Sequence, residues 1–328
     1  MNRRTFLTVA GSIVGGISLG SCSSMDTLFS GEDKMPFKIS LAQWSLNNRL
    51  FGRREPVLDN LDFAVEAKKL GFEAVEYVNQ FFMDKAKDTD YINEMKKRAE
   101  DNGIKSLLIM CDQEGDLGNP DESQRIQVVE NHYKWADTAK ILGCHSIRVN
   151  AASNALSYEE QQKCAADGLR RLSEYADTLG LNVIVENHGG NSSVADWLIG
   201  VMEMVDMPNV GTLPDFGNFA MARSSGFGMR GMGNMGGASS VRNYSIDIYD
   251  SVRKMMPYAK SVSAKSYDFD ENGDETSIDY YKMVGVVLDS GYKGYINVEY
   301  EGSRLSEEEG IKATKNLLEK IREKRMNA

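Results

Sequence analysis

Asp177-Thr178-Leu179-Gly180-Leu181-Asn182-Val183-Ile184-Val185-Glu186 states the rule by which this chain folds. An amphipathic run from Tyr158 to Leu179, with Leu169, Leu172 and Ala176 on one face, stops at a glycine. That glycine supplies the left-handed residue that closes a helix, and an apolar strand follows at once. The strand ends on a carboxylate. The same junction recurs at Gly71, at Gly103, at Gly143 before Ser146-Ile147-Arg148-Val149, and at Gly291 before Tyr295-Ile296-Asn297-Val298-Glu299. Helix, glycine and strand recurring at roughly 32 to 40 residues mark a chain of βα units.

Strands fall near 37–45, 72–79, 104–111, 145–150, 182–187, 209–215, 260–267 and 294–300. Eight strands with intervening helices in about 290 residues predict an α/β fold, a (β/α)8 TIM barrel, as a single domain over 37–325. An open doubly wound sheet would carry a glycine-rich nucleotide loop after its first strand. Here that strand runs into Ala42-Gln43-Trp44-Ser45-Leu46-Asn47 instead. In such barrels the site lies at the C-terminal ends of the strands. Glu186, Asp215 and Glu299 all stand at such ends. A strand buried on both faces has no reason to finish on a charge unless that end faces a site. Three carboxylates converging from separate strands need a cation or a proton between them; the alternative is three unrelated surface acids.

The first residues are not part of the fold. Asn2-Arg3-Arg4-Thr5-Phe6-Leu7 resembles a twin-arginine export signal, and the apolar run Val9 to Leu19 is too short to span a bilayer. Leu19-Gly20-Ser21-Cys22 resembles a bacterial lipoprotein box. The expectation is a signal peptide over 1–21, a tether over 22–36, and an exported, periplasmic or cell-surface protein anchored only through a lipidated Cys22. The formal net charge is −10, and −12 without Arg3 and Arg4. Such a surface disfavours nucleic acid and anionic lipid as partners. Cys111, Cys144 and Cys164 have neither disulfide nor metal spacing and read as core or near-core thiols.

Residues two apart on a strand share a face, which aligns His188 with Glu186, Glu301 with Glu299, Asn150 with Arg148, and Ser261, Ser263, Lys265 and Tyr267 with one another. With Val185-Glu186-Asn187-His188-Gly189-Gly190, Val210-Gly211-Thr212-Leu213-Pro214-Asp215-Phe216-Gly217-Asn218, Val262-Ser263-Ala264-Lys265 and Asn297-Val298-Glu299-Tyr300-Glu301 in this order, the chain resembles the xylose isomerase-like barrels of sugar isomerases and epimerases. The resemblance covers about 36 to 325. It implies a divalent cation held by Glu186, Asp215 and Glu299, with Glu186 and Glu299 as the acid–base pair on either side of a sugar carbon. The family commonly reads His-x-Lys on strand seven, where this chain has Ser263-Ala264-Lys265. Losing a nitrogen ligand leaves an all-oxygen set that favours Mn²⁺ or Mg²⁺ over Co²⁺ or Zn²⁺, unless Lys265 itself supplies the counter-charge.

His188, Lys265, Arg148, Asn150 and Trp44 are the candidate substrate contacts, with Phe81-Phe82 beside Trp44 as an apolar wall. Arg148 reads equally as an interior ion pair with Glu76, and Glu76 as a structural or a catalytic group. Met229, Met232 and Met235 in the Gly/Met-rich stretch 222–243 read as a lid lining, with Cu(I) ligation as the alternative. The expected partner is a small-molecule sugar or glycoside, with homo-oligomerisation left open. Three functions compete: a sugar isomerase or epimerase, a lyase eliminating from keto-glycosides on the same barrel, and a non-catalytic sugar-binding surface lipoprotein.

Overall fold

The computed structural model describes residues 35–151, 157–219 and 247–327. The signal, nearly all of the tether and the Gly/Met-rich stretch lie outside the described residues. Eight strands, β1 (Lys38–Ala42), β2 (Ala74–Val78), β3 (Lys105–Met110), β4 (Ser146–Val149), β5 (Asn182–Glu186), β6 (Val210–Leu213), β7 (Val262–Ser266) and β8 (Tyr295–Tyr300), form one parallel sheet in which β1 pairs with both β2 and β8. Parallel bridges Thr212–Ala259 and Asp215–Ser263 join β6 to β7 and close the barrel. At this seam the backbones approach closely: a Cβ on Gly211 would come within 2.4 Å of the Tyr258 carbonyl oxygen.

The helices that follow the strands are α1 (Phe63–Lys69), α2 (Thr89–Asp101), α3 (Glu122–Leu142), α4 (Tyr158–Thr178), α5 (Ala195–Val205), α6 (Ile248–Met255), α7 (Tyr280–Asp289) and α8 (Glu307–Met326). Their starts are written in the sequence. Ser157 with Glu160 and Ser306 with Glu309 form reciprocal capping boxes on α4 and α8, and Asp88, Asp121, Asp247 and Asp279 cap α2, α3, α6 and α7. Gly143 and Gly180 take φ of +77° and +71° after α3 and α4, as the repeated junction predicts.

Alternation along each strand sorts the core into two parts. Val75, Tyr77, Ile109, Ile147, Val183, Val185, Val262, Ile296 and Val298 face the helices, whereas Ala42, Val78, Leu108, Met110, Ile184 and Leu213 make a small apolar belt inside the barrel. Cys111 and Cys144 are buried and Cys164 is partly exposed, all as free thiols.

Below the belt lies a polar layer. Glu76, fully buried on β2, accepts from Ser40 Oγ at 3.1 Å, Ser261 Oγ at 3.3 Å and Asn297 Nδ2 at 2.6 Å. It has no bond to Arg148: Glu76 pairs with Leu108, two residues short of the Met110 that pairs with Arg148, so the two side chains stand on different tiers. Burial is the main force that lifts the Glu76 carboxyl from 4.5 to about 7, against its hydrogen bonds. The folded state therefore holds this proton more tightly than the unfolded chain. Its contribution to stability is complete below about pH 4.5 and is lost as pH rises through 7, by roughly 3 kcal/mol. Glu76→Gln should flatten this loss: its melting temperature, compared with the parent at pH 5 and pH 8, gains on the parent only at the higher pH. Parallel pH profiles would refute the assignment.

Two strands stop earlier than the sequence suggests. β1 ends at Ala42, and Gln43–Leu46 turn into a 3-10 helix because their side chains are recruited by neighbours. Gln43 Oε1 accepts from Val78 N, and Ser45 Oγ bonds Val298 O and Tyr300 N. β6 ends at Leu213, so Asp215 stands beyond the last sheet residue, on the bridge to Ser263.

Candidate active site

The interior positions above the apolar belt are almost all charged. Glu186, Asp215 and Glu299 each bring one carboxylate oxygen within 4.8 Å of the others, and all three are buried. Among the described residues this is the one cluster of three metal-ligating side chains. The three strand ends picked out in the sequence do converge.

Each carboxylate has its own surroundings. Arg148 on β4 sends Nε and one terminal nitrogen to Glu186 Oε2, and its other terminal nitrogen to Asp112 Oδ1 at 2.8 Å. Asn218 Nδ2 donates to Glu186 Oε1 at 2.7 Å. Burial works to raise the Glu186 carboxyl, but the neighbouring charges, Arg148 first, and the Arg148 hydrogen bond together outweigh it and hold the group below its ordinary value. Asp112 is held low in the same way.

Glu299 Oε1 meets the Lys265 ammonium at 3.0 Å, and Glu299 Oε2 accepts from Ser263 Oγ at 3.0 Å. Burial, with the neighbouring Glu186 and Glu301 charges, raises its carboxyl despite Lys265. Asp215 Oδ1 accepts the backbone N–H groups of Gly217 and Asn218 at 2.9 and 2.7 Å. Asp215 Oδ2 is buried with no hydrogen bond, 3.9 Å from Lys265 Nζ. Burial pushes Asp215 well above the usual carboxylate range, and the charges of Glu186 and Glu299 push the same way.

The candidate substrate contacts divide. Lys265 is fully buried within the cluster, also reaching Glu301 Oε1 at 3.4 Å and Asn218 Oδ1 at 3.3 Å. Arg148 spends its donors on Glu186 and Asp112, which makes it a positioning group for Glu186; its partner is not Glu76. Asn150 Nδ2 donates to Asp112 Oδ1 at 2.8 Å, while its Oδ1 is buried without a hydrogen-bond partner. His188 lies outside the three-carboxylate cluster and close enough to Glu186 and Asp112 to feel both charges; burial, then the Arg148 charge, depress its pKa and keep the ring neutral near pH 7.

Trp44 is partly exposed and packs with Phe81 on the apolar belt. The third ring of that wall is Phe51, 6.1 Å from Trp44 and 4.8 Å from Phe81. Phe82 is not on the wall: it is buried against Trp135 under the helices, because the 3-10 turn Asn79–Phe81 rotates the two adjacent rings apart.

Three further residues belong to the site. Asp112 closes β3 in the same strand-to-carboxylate pattern as the others, a signal present in Leu108-Ile109-Met110-Cys111-Asp112. Asn218 sits in the Asp-Phe-Gly-Asn turn after β6, and Glu301 is in phase with Glu299. Five carboxylates thus surround two cationic side chains, Arg148 and Lys265. That excess, with Asp215 Oδ2 left unbonded, fits a hard divalent cation taken by oxygens alone.

The fold is shared with sugar epimerases of known structure. The 3-keto-D-glucoside 4-epimerase from E. coli superposes with a TM-score of 0.65 at 14% identity, covering 87% of this chain and 99% of that one. D-psicose 3-epimerase from Clostridium cellulolyticum H10 gives 0.64 at 14%, over 87% and 99%. In sequence, the C-glycoside deglycosidase alpha subunit of Microbacterium trichothecenolyticum is 36% identical over 76 residues, 23% of this chain and 18% of that relative. A 3'-dehydrocarminate deglycosidase alpha subunit from a Microbacterium species is 42% identical over 48 residues, 15% of this chain and 14% of the relative. The chain thus aligns with less than a fifth of the length of these relatives. The family model described as xylose isomerase-like TIM barrel matches residues 64–321. The chain belongs to the xylose isomerase-like TIM barrel family.

Proposed function

We propose that this protein is a sugar isomerase or epimerase that moves a proton on the carbon beside a carbonyl, with Glu186 and Glu299 as the two acid–base groups. One observation carries the reading: two buried carboxylates from strands three apart in the barrel meet at one point, with opposite pressures on their protons. Glu186, kept ionised by Arg148, takes the proton. Glu299, whose carboxyl burial raises above its ordinary value, returns one from the other side. Lys265 faces the oxygen on which negative charge develops. His188 and the Asn150 carbonyl oxygen bond sugar hydroxyls, and Trp44, Phe51 and Phe81 cover an apolar sugar face. A divalent cation held by Glu186, Asp215 and Glu299, Mn²⁺ or Mg²⁺ before Co²⁺ or Zn²⁺, would polarise the carbonyl and acidify the adjacent C–H.

A second reading shares the first step. If the carbon next to the anion bears a glycosidic substituent, its expulsion makes the enzyme a lyase on keto-glycosides. The deglycosidase names of the sequence relatives favour this outcome. The test is NMR of a panel of ketoses and 3-keto-glycosides in D₂O with added Mn²⁺. Replacement of C–H by C–D with an intact glycosidic bond supports isomerisation or epimerisation, and release of an aglycone supports elimination. If no member of the panel exchanges, both readings fall and the barrel is a sugar-binding module.

A further inference from the structure

Lys265 places a permanent positive charge among the oxygens that a divalent ion would use. Its ammonium is within hydrogen-bond reach of Glu299 Oε1 at 3.0 Å, Glu301 Oε1 at 3.4 Å and Asn218 Oδ1 at 3.3 Å, with Asp215 Oδ2 at 3.9 Å. Three donors are matched by the three nearer acceptors, and Asp215 Oδ2 is left without a hydrogen bond. Every other oxygen of the cluster is bonded: Glu186 by Arg148 and Asn218, Glu299 by Lys265 and Ser263, and Asp215 Oδ1 by two backbone amides.

We propose that Lys265 is a built-in competitor for the divalent ion, sharing Asp215 and Glu299 with it and withdrawing toward Glu301 when the ion enters. The inference rests on the cation reading above and adds a property to it: a site that holds its ion loosely and exchanges it readily. The physical basis is repulsion. An ion touching Glu299 and Asp215 stands within a few ångströms of an ammonium already bonded to Glu299 Oε1, in a space that water screens poorly. The ammonium has somewhere to go. Glu301 lies two residues further along β8, its side chain 30% exposed against 5% for Glu299, so its carboxylate opens toward the mouth. With the ion absent, Lys265 balances the carboxylates. With it present, Glu301 holds the displaced charge.

Calorimetric titration of MnCl₂ into the full-length chain and two variants tests this. Lys265→Met, freed of the competitor, should bind Mn²⁺ at least about tenfold more tightly than the parent. Its melting temperature should rise further on adding Mn²⁺, even if it starts lower. Glu301→Asp keeps the charge but shortens the side chain away from Nζ, so it should weaken Mn²⁺ binding about threefold or more, an effect that loss of charge cannot explain. This variant decides alone if Lys265→Met fails to fold: unchanged affinity in Glu301→Asp overturns the proposal. Equal or weaker binding by a folded Lys265→Met also overturns it, as does absence of binding in both parent and variant. The D₂O exchange experiment is read separately. Exchange without a gain in Mn²⁺ affinity sinks the competitor and spares the proton transfer; a gain without exchange does the reverse.

Discussion

Glu186→Gln and Glu299→Gln should each slow turnover by about 10² to 10⁴, near the top of that range because each also removes a candidate ion ligand. The amide keeps the size of the side chain and still accepts a hydrogen bond, from Arg148 or Asn218 at position 186 and from Ser263 at 299. What it cannot do is take up a proton. Circular dichroism should therefore report a folded barrel in both cases, so that lost activity reads as lost chemistry. Rates on whichever panel member the parent converts, together with its C–D incorporation, are the measurement. Wild-type exchange in both variants would end the two-glutamate mechanism and turn attention to His188 with Lys265.

Arg148→Met should be the most destabilising single change in the site. The guanidinium side chain is 3% exposed and lies between Glu186, 1% exposed, and Asp112, 14% exposed. Removing one partner of a buried ion pair typically costs about 3–5 kcal/mol, because the remaining charge is left without compensation. Urea denaturation of parent and variant at pH 7 gives the difference directly. Arg148→Lys restores the charge without the two-pronged geometry and should recover only part of it. A loss below about 1 kcal/mol for Arg148→Met would mean that solvent already screens the pair.

The barrel was legible because its rule repeats: capped helix, left-handed glycine, buried strand. The candidate site was legible where a charge interrupts that rule, at Glu186, Asp215 and Glu299. Asp112 obeys the same rule and was available to the same reading. The rest depends on geometry that one-dimensional spacing does not carry. Arg148 and Glu76 both point into the barrel, but the strand register leaves Glu76 opposite Leu108 and Arg148 opposite Met110, so they stand on different tiers and each finds other partners. Phe81 and Phe82 have identical chemistry, and only the 3-10 turn decides which one reaches the mouth. Phe51 joins them from a segment 30 residues earlier in the chain, because Gln43 and Ser45 bond across to β2 and β8 and end the first strand early.

Asn218 connects the two halves of the site in a particular way. Its nitrogen holds Glu186 and its oxygen holds Lys265, at 2.7 and 3.3 Å. A carboxamide neither gains nor loses a proton in water near neutrality. The link is thus protonically dead: it tethers Glu186 and the ammonium to one side chain while giving hydrogen ions no path through it. Any proton exchange between the two sides must pass by another route than this side chain.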